Sequence, residues 1–450
     1  MKKITSLVLA MIGWITCFAQ VQVRSLPEPG IDNRIRNYID QLKIVDTHEH
    51  LLNPSRFKES DLDFMLLFRH YAADDYFSVG LPDKTYDALF SDSLTVIEKW
   101  RAFQPYWEMS FNTGYNRAGL LTADKLFGVK KIDETTVEEL SQKIKQAYQT
   151  DWYDQVLRQK CNIDFVIVDY IQRDWENRTV GDPNMVRYVR KFDEFIWIDS
   201  KNDFDPLLKW NNQKIQTLDD LEAALHSAFN DALSQGFVGV KSTLAYIRSL
   251  HYANVDQAEA LSVFNRIMNA PGTEPLPFEE VKPLQDYMMH RVLDLAAARN
   301  MPVQLHTGLN SGNIEIAKPT LLTNLFQEYP DVRFILFHGS YPYGGELSVL
   351  AKKFSNVYID LCWLYIVSPS YSERYLHEWL ETVPAAKIMA FGGDYMYVEN
   401  VYSHLLMARE VLTKVLTDKV SSGYFSEEEA MKIARMLLHD NAVRIFNLKQ

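Results

Sequence analysis

Eight short apolar runs, set apart by helix-length stretches, constrain this chain more than any other feature. The runs span 44–50, 164–170, 194–198, 237–242, 302–307, 333–338, 357–361 and 387–392. Between the later ones lie 218–234, 279–300, 319–329, 346–354 and 372–382, and the last is followed by 401–417 and 426–439. Strand–helix alternation of this kind argues a parallel sheet with crossover helices. Eight units predict a (β/α)8 TIM barrel, whose reactive face is formed by the C-terminal ends of its strands. A doubly wound open sheet is the competing architecture. No Gly-rich phosphate loop follows a strand to support it.

The stretch 53–160 breaks the rhythm. It is too long for an ordinary connection, reads as helices and loops, and is rich in aromatics such as Phe64, Phe68, Tyr71, Trp100, Trp107 and Tyr115. We expect a helical cap inserted after the first strand, its aromatics serving packing before substrate contact. A single unit, 20–450, would then hold barrel and cap. With 450 residues, 47% of them hydrophobic, the chain can bury a core of that size.

The N-terminus reads as a targeting segment. Lys2 and Lys3 precede an apolar stretch from Ile4 to Phe18, and Cys17 and Ala19 are small residues where a signal peptidase would read them. The expectation is a signal peptide over 1–19, a mature start at Gln20 and an exported, periplasmic protein. A lipoprotein anchored through Cys17 is the alternative, though Trp14-Ile15-Thr16 fits a lipobox poorly. No other run is long enough to span a membrane. Loss of Lys2 and Lys3 would take the formal charge from −12 to −14. That acidity speaks against a nucleic-acid partner, which would favour a basic face. A small-molecule substrate is the expected partner; a homo-oligomer is compatible with a capped barrel, but no heptad run specifies one. Of the two cysteines that remain, Cys161 and Cys362, neither belongs to a disulfide framework.

Several strand ends carry chemistry. The first reads Asp46-Thr47-His48-Glu49-His50, and residues i and i+2 of a strand share a face, so both imidazoles can converge on one cation. The fourth ends in Lys241, the fifth in His306, the sixth in His338 and the eighth in Asp394. Singly, each reads as a solvated tip, a core histidine or a helix cap. Together they place metal-competent side chains from five strands at one rim. Neutral imidazoles and a carboxylate suit zinc, with manganese or iron as alternatives, in one or two ions. His48, His50, His306 and Asp394 are the expected ligands, and Asp394 also the base for an activated water. His338 would either assist the reacting oxygen as a catalytic group or complete a second site. Lys241 is either a carboxylated lysine bridging two ions or a free ammonium. With Tyr246 and Arg248 on the following loop, it forms a candidate binding set for a substrate carboxylate. Arg117, Arg173 and Arg178 are further cations without an assigned place. Histidines in the helical segments, His70 among them, read as surface or core residues.

This pattern of His-x-His on strand one, Lys on four, His on five and six and Asp on eight resembles the amidohydrolase superfamily. More narrowly, His306-Thr307-Gly308, His338-Gly339-Ser340-Tyr341-Pro342 and Tyr358-Ile359-Asp360-Leu361 resemble its amidohydrolase-2 branch. They are similar to the amidohydrolase portion of fungal and plant proteins fused to a glutamine-synthetase-like domain. Gly393 stands where many relatives carry a small hydroxyl residue beside the aspartate. The resemblance implies a metal-dependent hydrolase that cleaves an amide or lactone-type bond of a carboxylate-bearing small substrate by metal-activated water. Uronate isomerase-like or decarboxylase chemistry on the same barrel is the alternative, and a non-catalytic sugar-binding protein a third.

Overall fold

The structure, a computed structural model, describes residues 30–57, 61–169 and 184–449. The expected signal peptide, together with Arg173 and Arg178, lies outside the described residues. Eight parallel strands follow one another in sequence order around the sheet. They are β1 (Ile44–Glu49), β2 (Ile163–Asp169), β3 (Val186–Lys191), β4 (Gly239–Ser242), β5 (Val303–Leu305), β6 (Phe334–Leu336), β7 (Val357–Asp360) and β8 (Ile388–Met389). The chain just past β8 closes the ring onto β1. Thr47 N–H donates to Phe391 O, Asp394 N–H to His48 O and His50 N–H to Tyr395 O, at 3.0, 2.9 and 3.0 Å. The chain is a (β/α)8 barrel, and nearly all of its strand residues are buried, as strands covered by helices on the outside and packed within must be.

The third strand corrects the sequence reading. Its expected place, 194–198, is mostly a helical turn, Asp193–Ile196, and the strand lies earlier. β3 contains Arg187, Arg190 and Lys191, three cations in six residues. The fold neutralises them individually. Arg190 pairs with Glu194 at 2.7 Å, Lys191 with Asp169 at 2.8 Å, and Arg187 lies over the Phe165 ring. Most helices fall close to their expected positions; Leu218–Ser234 begins on a capping box in which Thr217 and Asp220 satisfy each other's backbone amides.

Between β1 and β2 the described residues form helices and short turns, including Val96–Ser110, Gly114–Phe127 and Val137–Ala147. These dock on the helix Val398–Ser421 that follows β8. Thr122 donates to Ser403 Oγ, and Trp152 Nε1 donates to a buried Glu399 carboxylate at 2.8 Å. Gly114 touches the backbone of Ile366 so closely that a Cβ there would stand 2.1 Å from its carbonyl oxygen. Cap and barrel are therefore in direct contact above the strand ends. No helix among the described residues is long and apolar enough to cross a membrane.

Candidate metal centre

β1 ends at the rim with His48 and His50 on one face, their rings edge-on at 4.8 Å. Asp394, five residues beyond β8, turns back toward them in a left-handed conformation with φ +62°. Its Oδ1 lies 3.0 Å from His50 Nε2 and 3.5 Å from His48 Nε2. One ligand atom from each of these three residues falls within 4.8 Å of the others. Both ring nitrogens of His48 and Asp394 Oδ1 are buried without a hydrogen-bond partner among the described residues. Buried polar atoms of native proteins are almost always satisfied, so this set fits a cation that supplies the missing partner.

Electrostatics agree with that fit. Burial, then the nearby Lys241 ammonium, pushes the His48 pKa well down, leaving a neutral ligand. Burial alone would raise the Asp394 carboxyl, but His50, His48 and His338 outweigh it and hold the group well below the usual carboxylate range. The donor set is therefore two imidazoles and an ionised carboxylate, chemistry suited to a divalent first-row ion.

His306 and His338 face each other beside this set. His338 Nε2 is 3.0 Å from His306 Nδ1 and 3.9 Å from Asp394 Oδ2. His306 Nε2 contacts Leu309 O at 2.6 Å, and His338 Nδ1 contacts Cys362 O at 2.9 Å. Three of the four expected ligands of one ion thus come together, while His306 is joined to His338. A second group of His338, Asp394 and the Cys362 thiol also lies within 4.8 Å.

Lys241 points into the same space, its Nζ 3.6 Å from the centre of the Phe337 ring. Burial lowers its pKa to about 8. Among the described residues it has no carboxylate at ion-pair distance. Tyr246 stands at the rim, its ring 4.3 Å from that of His306. Arg248 is a correction. Its side chain is fully buried and spends its nitrogens on Asp286 Oδ1 at 2.5 Å, on Gln285 Oε1 at 2.9 Å and on the carbonyls of Ser249 and His251. A buried guanidinium needs such partners, and none is left to clamp a substrate carboxylate.

Four neighbours of the centre escaped the sequence reading. Asp169 ends β2 as the candidate residues end other strands; its Oδ2 is 3.9 Å from nitrogens of both His48 and His50. Lys191, which holds Asp169, was hidden by the misplaced third strand. It also lines a cavity of about 470 Å³ shared with Asp193, Trp197, Thr243 and Ile247. From the cap, Tyr71 packs on Trp363 at 4.5 Å; burial, then the nearby Asp394 charge, raises its pKa well above the ordinary value. His70, expected to be a surface or core residue, stacks on Tyr71 at 3.9 Å and faces the same chamber.

Residues 233–448, which carry strands β4 to β8, match the amidohydrolase-2 family model, described as Amidohydrolase. Over those residues, just under half of its length, the chain is similar to the amidohydrolases. Protein fluG of Emericella nidulans is 33% identical over 233 residues, a match covering 49% of this chain and 27% of that protein. The chain thus spans about a quarter of that curated relative's length. Glucuronate isomerase from Caulobacter crescentus is similar in fold, with a TM-score of 0.75 at 18% identity, over 94% of this chain and 96% of that one. Uronate isomerase from Thermotoga maritima gives 0.73 at 18%, over 92% and 97%. A Lactobacillus casei ATCC 334 protein provisionally described as a metal-dependent hydrolase gives 0.65 at 19%, over 92% and 97%. At such identities the likeness concerns fold, here extending through the cap as well as the barrel.

Proposed function

We propose that this amidohydrolase-superfamily barrel is a divalent-metal hydrolase acting on an amide or lactone-type bond of a small carboxylate-bearing substrate. The observation that carries the reading is the buried, unsatisfied donor set of His48, His50 and Asp394 at the strand ends. An ion held there would lower the pKa of a bound water toward neutrality and polarise a carbonyl oxygen. Asp394, kept ionised by its histidine neighbours, is the group to take up a proton at Oδ2, the oxygen turned toward His338. His338 is fixed through Nδ1 to Cys362 O, which turns Nε2 toward His306 and Asp394, beside the space where the reacting oxygen would sit. Lys241, unpaired and buried against Phe337, supplies the positive charge for the substrate's carboxylate, in place of Arg248. The cap, through Tyr71 and Trp363, limits access of bulk water to the chamber.

Tyr71 supports a second reading. A phenol near a carboxylate beside a cation site offers two groups for a proton relay, which an aldose–ketose isomerisation of a uronic acid requires. A panel of N-acyl amino acids, dipeptides and lactones against uronic acids, run in ¹⁸O-water with zinc, manganese or iron supplied, separates the two. Solvent oxygen in the product of an amide or lactone supports hydrolysis; turnover of uronic acids alone, without solvent oxygen, replaces it with isomerisation.

A further inference from the structure

Glu49 occupies the space that a side chain at position 393 would need. A Cβ placed on Gly393 would stand 1.8 Å from Glu49 Oε1 and 2.8 Å from its carboxyl carbon, far inside contact distance. The next residue, Asp394, is left-handed, a conformation a non-glycine residue keeps only when its surroundings hold it. β1 provides that hold through three successive amides. Gly393 N–H donates to Asp46 Oδ1 at 3.1 Å, Asp394 N–H to His48 O at 2.9 Å and Tyr395 N–H to Glu49 Oε2 at 2.7 Å. Glu49 is fully buried. Lying between the two histidines in sequence, it projects from the opposite face of the strand, so it can grip the turn without competing for the ion.

We propose that Glu49 is a positioning residue for Asp394, paired with Gly393. Its length fills the gap, its carboxyl group takes the Tyr395 amide, and together these aim Asp394 Oδ1 at the two imidazoles. This rests on reading His48, His50 and Asp394 as a cation site.

The test measures zinc affinity of the purified full chain by chelator competition, alongside the thermal midpoint of the metal-free protein. Glu49→Gln keeps the length and an acceptor oxygen and should bind zinc within about threefold of wild type, whereas Glu49→Ala should lose tenfold or more. Gly393→Ala should also lose tenfold or more in the native background, but less than threefold when Glu49 is already alanine, because the clash has gone. That non-additivity distinguishes positioning from general destabilisation, which would appear equally in both backgrounds and in the thermal midpoint. Wild-type zinc affinity in Glu49→Ala, or an undiminished Gly393→Ala penalty in the double variant, overturns the proposal. Equal affinity of wild type and Asp394→Asn for zinc and manganese would overturn the cation site itself, and the proposal with it.

Discussion

The Nε2 of His338 and the Nδ1 of His306 stand 3.0 Å apart, and each ring has its far nitrogen against a main-chain carbonyl. A carbonyl only accepts, so each neutral ring must spend its one N–H there. The two inner nitrogens then face each other as lone pairs. Such a contact is repulsive unless a proton or a metal cation lies at the pair. Burial, the leading cause for both rings, holds His338 down at about 4 and His306 well below the ordinary imidazole value. Both rings are therefore neutral near pH 7, and a cation bound at the pair would satisfy the facing lone pairs.

The same depression makes a pH-dependent stability term. Unfolded His338 takes a proton below about 6.5, the native ring only near 4, so the native state binds fewer protons across that window and loses stability as pH falls. His338→Gln lacks the term. Metal-free wild type should lose up to about 3 kcal/mol relative to His338→Gln between pH 6.5 and 4. Asp360, whose buried carboxyl is raised to about 7, acts in the opposite direction but cancels in the comparison. Urea unfolding of both proteins at several pH values measures it; a constant gap would refute the assignment of a neutral buried ring.

Asp394→Asn keeps the shape of the turn but removes the negative charge between the imidazoles. Metal affinity should fall by at least tenfold and turnover by at least a hundredfold, with circular dichroism unchanged. Metal content after dialysis, read by mass spectrometry, checks the first; retained stoichiometric metal would count against Asp394 as a ligand.

Lys241, lowered to about 8 by burial, should lose its charge as pH rises through that value. For a substrate bearing a carboxylate, KM should climb above pH 8 while kcat changes less. Lys241→Arg should flatten the KM profile, because a guanidinium stays protonated throughout. A profile that is flat in the native protein would remove Lys241 as the anion binder.

Arg248 belongs to the architecture. Replacing it by methionine leaves Asp286 buried with Lys282 as its remaining cation and should cost about 3–5 kcal/mol of stability. The folded fraction should keep its KM within about twofold, since no nitrogen of Arg248 faces the chamber. A large KM increase without destabilisation would return Arg248 to the substrate.

Tyr71→Phe removes the phenol from Asp394 and leaves the ring on Trp363. If the chemistry is hydrolytic, kcat should fall by no more than about tenfold; if Tyr71 relays protons in an isomerisation, the loss should exceed a hundredfold. Exchange of the substrate's carbon-bound hydrogen with solvent, followed by NMR, distinguishes a lost relay from a loosened cap.

What the residues alone determined is local and periodic. Alternating apolar runs and amphipathic stretches report which face of an element is buried, and eight of them close a barrel. The i, i+2 spacing of His48 and His50 places both on one face of β1, and a strand end places Asp394 at the same rim. Partners across elements carry no such period. The charges of β3 were legible, but not that Asp169 and Glu194 would neutralise them, so the strand was read too late and Lys191 went unseen. The Arg248 guanidinium had a plausible role at the rim until the helix Phe278–Ala298 delivered Asp286 to it. That His306 turns to His338, and that Tyr71 descends from the cap onto Asp394, depends on rotamers and packing that only the assembled fold decides. Burial then sets the charges, because removal from water, rather than residue type, keeps these imidazoles neutral.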